Sequence, residues 1–491
     1  MRTATFSIGF LVGLAQSAAL NRRAALEDCL STTNTTIDVA GSDDWVSDVK
    51  PFNTRLPFTP EVIAVPTTVE QIQNAIACGS ELEYKVTPKS GGHSYASLGL
   101  GGEDGHLVIE LDRMFAVTLD NETNVATVEP GARLGHVATE LYNQGGRAIS
   151  HGTCPGVGIS GHALHGGYGM ASHSRGLTLD WVAGMNVALA NGTLVHTSAT
   201  ENPELYWGML GAGSNFGVVT SYEFNTFEPP ANLTWFVATL PWKKNNSVQA
   251  LEALEDYTMN IMPAELNMRV FGTSSLTQLE GVYQGNTTDL QAALAPLFNK
   301  TGGTIGASKT TDWIGSLEHF ATMSLDQTIP YNQQEYFYSI SLELKGLNGT
   351  SAENFVDYWF DTAKNQTSFW YYQMDLQGGV NSGVWKVDHD LTSYAHRDKL
   401  YILQFWLQPT SGEITEDGFK FIDDWASTTT APLAPADWGM YANYPDTSLN
   451  RTTAQQVYWG ENLSRLQELK AQYDPTELFY YPTSLEPAAA T

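Results

Sequence analysis

The chain has 491 residues, with 53 acidic against 25 basic side chains and a formal net charge of -28 at pH 7. A surface this negative repels phosphate backbones and anionic lipids, which argues against nucleic acid and membrane partners. The length exceeds what one ordinary hydrophobic core accommodates and predicts two domains.

The N-terminus has the three regions of a secretory signal peptide. The charged start Met1-Arg-Thr precedes an apolar run from Phe6 to Ala15 and the small residues Ser17-Ala-Ala. We therefore predict that residues 1–19 are a signal peptide and that the protein is secreted and extracellular; a second cut after Arg22-Arg23 stays open. Eleven Asn-x-Ser/Thr sequons agree with passage through a glycosylating pathway.

Three cysteines leave one thiol over after any single disulfide. Cys29 precedes a polar loop and Cys78 ends a helix-like run from Val69, so we predict that these two form a bridge near the mature N-terminus. Cys154 is then unpaired. A lone cysteine is most often a buried, inert thiol, and only the residues around Cys154 indicate a functional role.

From about residue 60 to residue 225, short strand-like runs alternate with glycine loops and helices. This texture predicts an α+β arrangement, and Pro229-Pro230 marks its end. The predicted strands are Val62–Val65, Tyr84–Val86, Leu107–Leu111, Val125–Val128, Met185–Ala190 and Val218–Tyr222.

Two glycine-flanked loops stand out in this part of the chain. They are Ser90-Gly-Gly-His-Ser-Tyr95 and His151-Gly-Thr-Cys-Pro-Gly-Val-Gly158. Glycines let the backbone approach a ligand closely and turn amide N–H groups toward a diphosphate or a flavin ring. The pair suits a flavin held by two covalent bonds, one to the histidine and one to the cysteine.

Other interpretations of the same residues remain. Either loop alone could be an ordinary glycine turn, and His162, His165 and His173 could be weighed as metal ligands, although few carboxylates accompany them. A nucleophilic pair of Cys154 and His151 is weak, because proline follows the cysteine and no helix N-terminus lowers the pKa of the thiol.

From Thr234 to about Leu407 the strands become longer and aromatic, and their alternation predicts an antiparallel sheet with one face on a core. The tail, from Gly439 onward, is interpreted as a return to the first domain. The predicted strands are Glu335–Leu344, Ser368–Leu376 and Leu400–Leu407, and the predicted helices are Val248–Ile261, Phe355–Ala363 and Ala454–Tyr473.

Five motifs together resemble the berberine-bridge-enzyme-like branch of the vanillyl-alcohol-oxidase flavoproteins, and within it the fungal oligosaccharide oxidases. They are the two glycine loops, Gly213-Ser-Asn-Phe-Gly217, Tyr441-Ala-Asn-Tyr444 and Tyr458-Trp-Gly-Glu-Asn-Leu463. The resemblance implies a two-domain α+β FAD-binding fold of the vanillyl-alcohol-oxidase/PCMH type. Residues 20–230 would form most of the FAD-binding domain, 231–430 a substrate-binding domain with the antiparallel sheet, and 431–491 the return to the first domain.

The resemblance also implies the cofactor and its attachment. FAD would be bound covalently by His93 at the flavin 8α-methyl and by Cys154 at ring carbon C6, which should raise the reduction potential of the flavin. Further contacts to FAD are implied for Ser90, Gly91, Gly92, Ser94, Val157, Gly158, Gly161, Val219, Tyr441 and Asn443.

For catalysis the resemblance assigns Tyr444 as base and Asp375 as the partner that takes or shares its proton, since a tyrosine is otherwise too weak an acid at neutral pH. The residues alone favour an edge-strand carboxylate on water for Asp375. Tyr95, Gln373, Gln404 and Tyr371 are implied to bind the sugar, whereas Trp370 and Phe405 are expected in the core.

Two positions bear on specificity. Some relatives contact the sugar with an acidic or amide side chain near position 271, where this chain has Phe271, so the sugar preference stays open. Val157 is small, as in relatives that admit O2 to the flavin, and this favours an oxidase over a dehydrogenase.

The sequence therefore predicts a secreted, monomeric FAD oxidase that converts the reducing end of an oligosaccharide to a lactone while O2 becomes H2O2. Two alternatives remain, a related oxidase of a phenolic or alkaloid-like metabolite and a secreted sugar-binding protein without activity.

Overall fold

The computed structural model describes residues 21–327 and 331–489, so the predicted signal peptide at residues 1–19 lies outside the described residues. Its strands are β1 (Thr36–Asp38), β2 (Val62–Val65), β3 (Val86–Lys89), β4 (Leu107–Glu110), β5 (Val117–Asp120), β6 (Val125–Val128), β7 (Val182–Leu189), β8 (Leu194–Ser198), β9 (Gly217–Asn225), β10 (Leu233–Thr239), β11 (Leu266–Gly272), β12 (Thr277–Gln284), β13 (Thr304–Thr311), β14 (Tyr338–Leu344), β15 (Phe369–Leu376), β16 (Tyr401–Gln408) and β17 (Trp438–Gly439).

Helices fill the intervals between these strands. They are α1 (21–31), α2 (Trp45–Asp48), α3 (Val69–Glu81), α4 (Leu134–Gly145), α5 (Ile159–Ala163), α6 (Ser172–Arg175), α7 (Pro203–Ala212), α8 (Ser247–Asn260), α9 (Thr287–Thr301), α10 (Trp313–Ala321), α11 (Gly349–Asp357), α12 (Glu416–Thr430), α13 (Arg451–Trp459) and α14 (Leu463–Tyr473). Among the described residues, none of these helices combines the length and the apolar character needed to cross a bilayer.

Two small sheets form the first half of the fold. One has the order β1-β2-β4-β3, with β2 and β3 parallel to β4, and the other is antiparallel with the order β5-β6-β9-β7-β8. In the first sheet, Val62 and Ala64 pack against Ile72 and Ile76 of α3, because side chains three to four residues apart lie on one helix face. β3 ends at Lys89, so the first glycine loop begins at Ser90, directly after a strand of this sheet.

The disulfide predicted between Cys29 and Cys78 is confirmed. It joins α1 to α3 across 49 residues of sequence and leaves Cys154 as the free cysteine of the described chain. The bridge ties the first described helix onto the core of the four-stranded sheet.

The second half contains an antiparallel sheet of eight strands in the order β13-β10-β12-β11-β15-β16-β14-β17. One face is covered by helices, and Trp425 of α12 packs edge-on against Trp370 of β15 and close to Phe405 of β16. Trp370 and Phe405 are 2% and 0% exposed, which confirms them as core residues. Alternate residues of β15 therefore point to the opposite, open face.

The α+β prediction is confirmed, while several element boundaries were wrong. The predicted strand Tyr84–Val86 begins instead at Val86, and the predicted helix Ala454–Tyr473 is divided at Gly460, whose φ is +44°. Glycine adopts this left-handed conformation without steric cost, so it interrupts the helix. The domain boundaries at residues 230 and 430 stay predictions; β17, beyond the second of them, pairs with β14 of the large sheet.

Candidate active site

A cavity of about 400 Å³ lies between the two glycine loops and the open face of the large sheet. All the residues predicted to bind cofactor or sugar, or to act in catalysis, line this one cavity, although their individual roles stay predictions. They are Ser90, Gly91, Gly92, His93, Ser94, Tyr95, Cys154, Val157, Gly158, Gly161, Val219, Tyr371, Gln373, Asp375, Gln404, Tyr441, Asn443 and Tyr444.

The two glycine loops touch each other backbone to backbone. A Cβ atom on Gly91 would lie 2.3 Å from the amide nitrogen of Gly158, and a Cβ atom on Gly158 would lie 2.1 Å from the amide nitrogen of Gly91. No side chain fits at either position. In addition, Gly92 has φ of +65°, a conformation that favours glycine. The glycines thus permit the approach of the loops that brings His93 and Cys154 together.

His93 and Cys154 are neighbours across this contact. The Nε2 atom of His93 lies 3.4 Å from the Sγ atom of Cys154, and the imidazole stacks on Phe52 with ring centroids 3.6 Å apart. Burial, together with the positive charge of Arg133, lowers the pKa of His93 to about 3. The imidazole is therefore neutral and keeps a nucleophilic lone pair at physiological pH.

Cys154 is a protonated thiol at rest. Burial raises its pKa, while the backbone N–H of Gly156 and the hydroxyl of Tyr331 oppose this shift. A thiol whose pKa is raised by burial carries little thiolate, which agrees with the argument against an acyl-transfer nucleophile. Its place in the cavity makes it a candidate point of cofactor attachment.

Asp375 lies on the open face of β15, between β11 and β16, and is 2% exposed. It is not an edge-strand carboxylate on water, as its sequence context alone suggested. Its Oδ2 atom accepts a hydrogen bond from Nε2 of Gln373 at 2.8 Å. Burial raises its pKa to about 6, and the charge of Arg269 limits that rise.

Tyr444 stands beside Tyr95 on the loop side of the cavity. The two rings are stacked, with centroids 5.4 Å apart and an interplanar angle of 6°. Burial, followed by the proximity of Tyr95 and Asp375, raises the pKa of Tyr444 well above 10. Gln404 in turn donates from Nε2 to the hydroxyl of Tyr95 at 3.1 Å. A phenol this weakly acidic keeps its proton unless an acceptor takes it.

Tyr371 occupies the same strand face as Gln373 and Asp375, two residues along. Its ring is stacked on Trp406 with centroids 5.6 Å apart and lies 5.1 Å from the ring of Phe271. An aromatic ring fixed by such neighbours presents a flat apolar surface, which is what the C–H face of a pyranose packs against.

Tyr441 and Asn443 fix the return of the tail onto the cavity. The hydroxyl of Tyr441 accepts hydrogen bonds from the backbone N–H groups of Gly167, at 2.8 Å, and Tyr168, at 3.1 Å. Asn443 donates from Nδ2 to the carbonyl of His162 at 3.3 Å. These bonds join the C-terminal segment to the glycine-rich region that follows the second loop.

The donor set of the cavity fits a flavin dinucleotide better than a metal. Backbone groups of the two loops line the cavity and provide the amide N–H donors that a diphosphate requires. Gly161 also lines the cavity, and an added Cβ atom there would meet no protein atom within 4 Å. Within residues 21–327 and 331–489, no group of three His, Cys, Asp or Glu side chains is arranged to hold a metal ion. His162 instead accepts a hydrogen bond from Gly152 N at 2.8 Å.

Sequence reasoning missed two arginines of the site. Arg269 on β11 lies directly opposite Asp375 and lines the cavity, whereas Phe271, the position considered for specificity, packs on Tyr371 instead. A cation among the apolar residues Met268 and Val270 was the available signal for Arg269. The sequence carries no comparable signal for Arg133, because its role depends on contacts with two loops that are distant in sequence.

Two family models match the chain. Residues 60–198 match an FAD binding domain, and residues 440–486 match the model described as berberine and berberine like. The chain is 49% identical over 480 residues to the xylooligosaccharide oxidase of Thermothelomyces thermophilus, with 96% of this chain and 97% of that protein covered.

Solved structures show the same fold. The xylooligosaccharide oxidase of Myceliophthora thermophila C1, solved in complex with xylobiose, superposes with a TM-score of 0.93 at 48% identity, covering 95% of this chain and 100% of that one. The glucooligosaccharide oxidase of Acremonium strictum, described with a 6-S-cysteinyl, 8α-N1-histidyl FAD, gives a TM-score of 0.92 at 41% identity with the same coverage.

Proposed function

Because this chain belongs to the fungal oligosaccharide oxidases of the berberine-bridge-enzyme-like family, we propose that it oxidises the anomeric C1 hydroxyl of reducing-end oligosaccharides to the 1,5-lactone. Its fold is the vanillyl-alcohol-oxidase type of FAD-binding fold, and the protein is an FAD-dependent carbohydrate oxidase. The lactone then hydrolyses to the aldonic acid. The observation that carries the proposal is that His93, Cys154, Tyr444 and Asp375 all line a single cavity.

The proposed cofactor arrangement follows from the two loops. His93 would attach to the 8α-methyl of FAD and Cys154 to ring carbon C6, as a histidine and a cysteine do in the Acremonium strictum enzyme. The neutral imidazole and the adjacent thiol support this assignment. When bound, FAD supplies the two-electron acceptor for the hydride that leaves C1, and O2 carries both electrons away as H2O2.

Tyr444 is assigned as the base that takes the proton of the C1 hydroxyl. Since its own pKa is well above 10, Tyr444 acts as a base only when its proton is taken or shared. Asp375, whose pKa of about 6 leaves it ionised at neutral pH, is the nearby group able to do so. Arg269 stabilises the ionised form of Asp375 and so keeps the acceptor ready.

Sugar binding is assigned to the open sheet face. Tyr371 would stack on a pyranose ring, and the amide groups of Gln373 and Gln404 would hydrogen-bond its hydroxyls. Both amides are already oriented, one by Asp375 and the other by Tyr95. Pre-oriented polar groups lose little entropy on binding. The small side chain of Val157 beside Cys154 supports reaction with O2 in preference to a dehydrogenase function.

Peroxide release tests this proposal directly. Xylobiose, cellobiose, lactose and chitobiose should be compared with their alditols, which differ only in lacking the cyclic hemiacetal. We expect peroxide from at least one reducing sugar, in equal amount to the aldonic acid, and none from any alditol. Peroxide from an alditol would refute the assignment to C1, and silence with every reducing oligosaccharide would refute the substrate class.

A further inference from the structure

One buried guanidinium connects the two glycine loops. The Nη1 atom of Arg133 donates to the carbonyl oxygen of Gly91 at 2.7 Å and to that of Gly156 at 2.5 Å. Gly91 is two residues from His93, and Gly156 is two residues from Cys154. A single nitrogen atom therefore donates to both loops, and each acceptor lies two residues from a proposed attachment point.

The backbone around Arg133 also holds the second loop, through hydrogen bonds that do not involve the arginine side chain. Leu134 N donates to Val157 O at 2.9 Å, Gly135 N donates to Pro155 O at 3.0 Å, and Ile159 N donates to Ala132 O at 2.8 Å. These bonds fix the second loop to the start of α4. The side chain of Arg133 then adds a hydrogen bond to the first loop, which follows β3 of the four-stranded sheet.

The surroundings of Arg133 keep the guanidinium in place. Arg133 is 8% exposed, and its guanidinium carbon lies 4.4 Å from the ring centroid of Tyr331. Glu110 and Asp112 add favourable electrostatic interactions that offset part of the cost of burial. Glu110 itself pairs with Lys89, immediately before the first loop. Taking a guanidinium out of water is costly, and the two carbonyl acceptors and the nearby carboxylates offset part of that cost.

We propose that Arg133 is the positioning residue for both flavin attachments, holding His93 and Cys154 at the separation and orientation that let one isoalloxazine ring bond to both. This inference rests on the proposed function, because it presumes a doubly attached FAD. The positive charge of Arg133 also favours the neutral imidazole that bond formation requires.

Bond formation at each site balances with dioxygen as the oxidant. One hydrogen leaves the flavin carbon, at the 8α-methyl or at C6, and one leaves the His93 nitrogen or the Cys154 sulfur. The new C–N or C–S bond replaces them, and two electrons and two protons pass to O2. Each attachment thus yields one H2O2, and the flavin ends in its oxidised state.

The test compares the attachment states of the secreted holoenzyme and its variants. Arg133→Met keeps the aliphatic stem and removes the donors, and Arg133→Lys retains one charged donor. Arg147→Met is the matched control, since Arg147 also donates to a backbone carbonyl, that of Thr226 at 2.6 Å, but its side-chain hydrogen bonds go to Thr226 and not to either loop. Peptide mass spectrometry after acid precipitation counts molecules with flavin on His93, on Cys154 or on both, and a dye-equilibrium titration gives the reduction potential.

We expect Arg133→Met to lower the ratio of doubly to singly attached flavin about tenfold, because small displacements of reacting atoms have large effects on rate, and to lower the mean reduction potential. Arg133→Lys should recover part of the ratio and Arg147→Met should match the wild type. Should Arg133→Met fail to fold, an unchanged ratio in Arg133→Lys would still overturn the inference, as would equal losses in Arg147→Met. A wild-type protein without covalent flavin would instead overturn the proposed cofactor arrangement, and this inference with it.

Discussion

Arg269 and Asp375 occupy opposed positions on the neighbouring strands β11 and β15, and both side chains line the cavity. Arg269 is held from its other side by Glu280, whose Oε1 atom accepts a hydrogen bond from Nε at 2.6 Å. The charges therefore alternate across three adjacent strands. The cation lowers the pKa of Asp375 against the effect of burial, and the further carboxylate of Glu280 raises it.

The first prediction concerns pH. Asp375 must be ionised to accept a proton, and its pKa is about 6. We therefore expect the rate of flavin reduction by saturating sugar to fall about tenfold per unit as the pH drops below about 6. Anaerobic stopped-flow measurement between pH 4.5 and 8 gives the midpoint.

Two neighbours of Asp375 provide opposite controls for this assignment. Arg269→Met removes the favourable charge, so the midpoint should move to higher pH. Glu280→Gln removes the unfavourable charge, so the midpoint should move to lower pH. Shifts in the same direction, or no shift in either variant, would show that the profile reports another group.

The second prediction concerns Tyr444. Tyr444→Phe removes the proposed base without changing the shape of the ring, so we expect flavin reduction to slow by about 10²- to 10⁴-fold with little change in the sugar dissociation constant. Stopped-flow titration with xylobiose separates the two quantities. Tyr95→Phe, which alters the stacked neighbour, should weaken binding more than it slows reduction. Equal reduction rates in wild type and Tyr444→Phe would reject Tyr444 as the base.

The third prediction concerns the aromatic platform. Tyr371→Ala removes the ring stacked on Trp406 and should weaken sugar binding by about 0.5–1.5 kcal/mol, or about two- to tenfold in KM. The matched variant Tyr371→Phe keeps the ring and should remain close to wild type. Steady-state peroxide assays with one oligosaccharide suffice. If Tyr371→Phe is as impaired as Tyr371→Ala, the hydroxyl and not the ring surface contributes the binding energy.

The fourth prediction concerns the cysteine. Cys154→Ala should retain covalent flavin through His93 alone and should have a lower reduction potential, because one electron-withdrawing attachment is lost. Flavin fluorescence on a denaturing gel shows retention, and peptide mapping identifies the attached residue. Complete loss of covalent flavin in this variant would contradict independent attachment at two side chains.

The fold was predictable from sequence where the signal was local. Period-two alternation identified the strand that contains Tyr371, Gln373 and Asp375, and the structure differs from that prediction by one residue at its start. Boundaries failed where no side-chain pattern marks them, as at the glycine that divides the last predicted helix. A single glycine within an amphipathic run does not reveal its φ angle.

The site was predictable to the extent that motifs are contiguous. The residues of the two loops were found because glycines surround each reactive side chain, whereas Asp375 looked like a solvated edge residue until the strand order placed β15 between β11 and β16. Strand order is a long-range property that alternation does not encode. Arg133 and Arg269 were missed for the same reason, since each is defined by what it meets across the fold.

The facing glycines also matter for engineering. Gly91 and Gly158 are 67 positions apart, yet each excludes any substituent on the other, and neither could be rescued by shrinking its partner further. In a library that randomises either codon, most variants would carry a side chain that prevents the two loops from meeting. Specificity is better sought on the sheet, where altered side chains need not disturb the place at which the two loops meet.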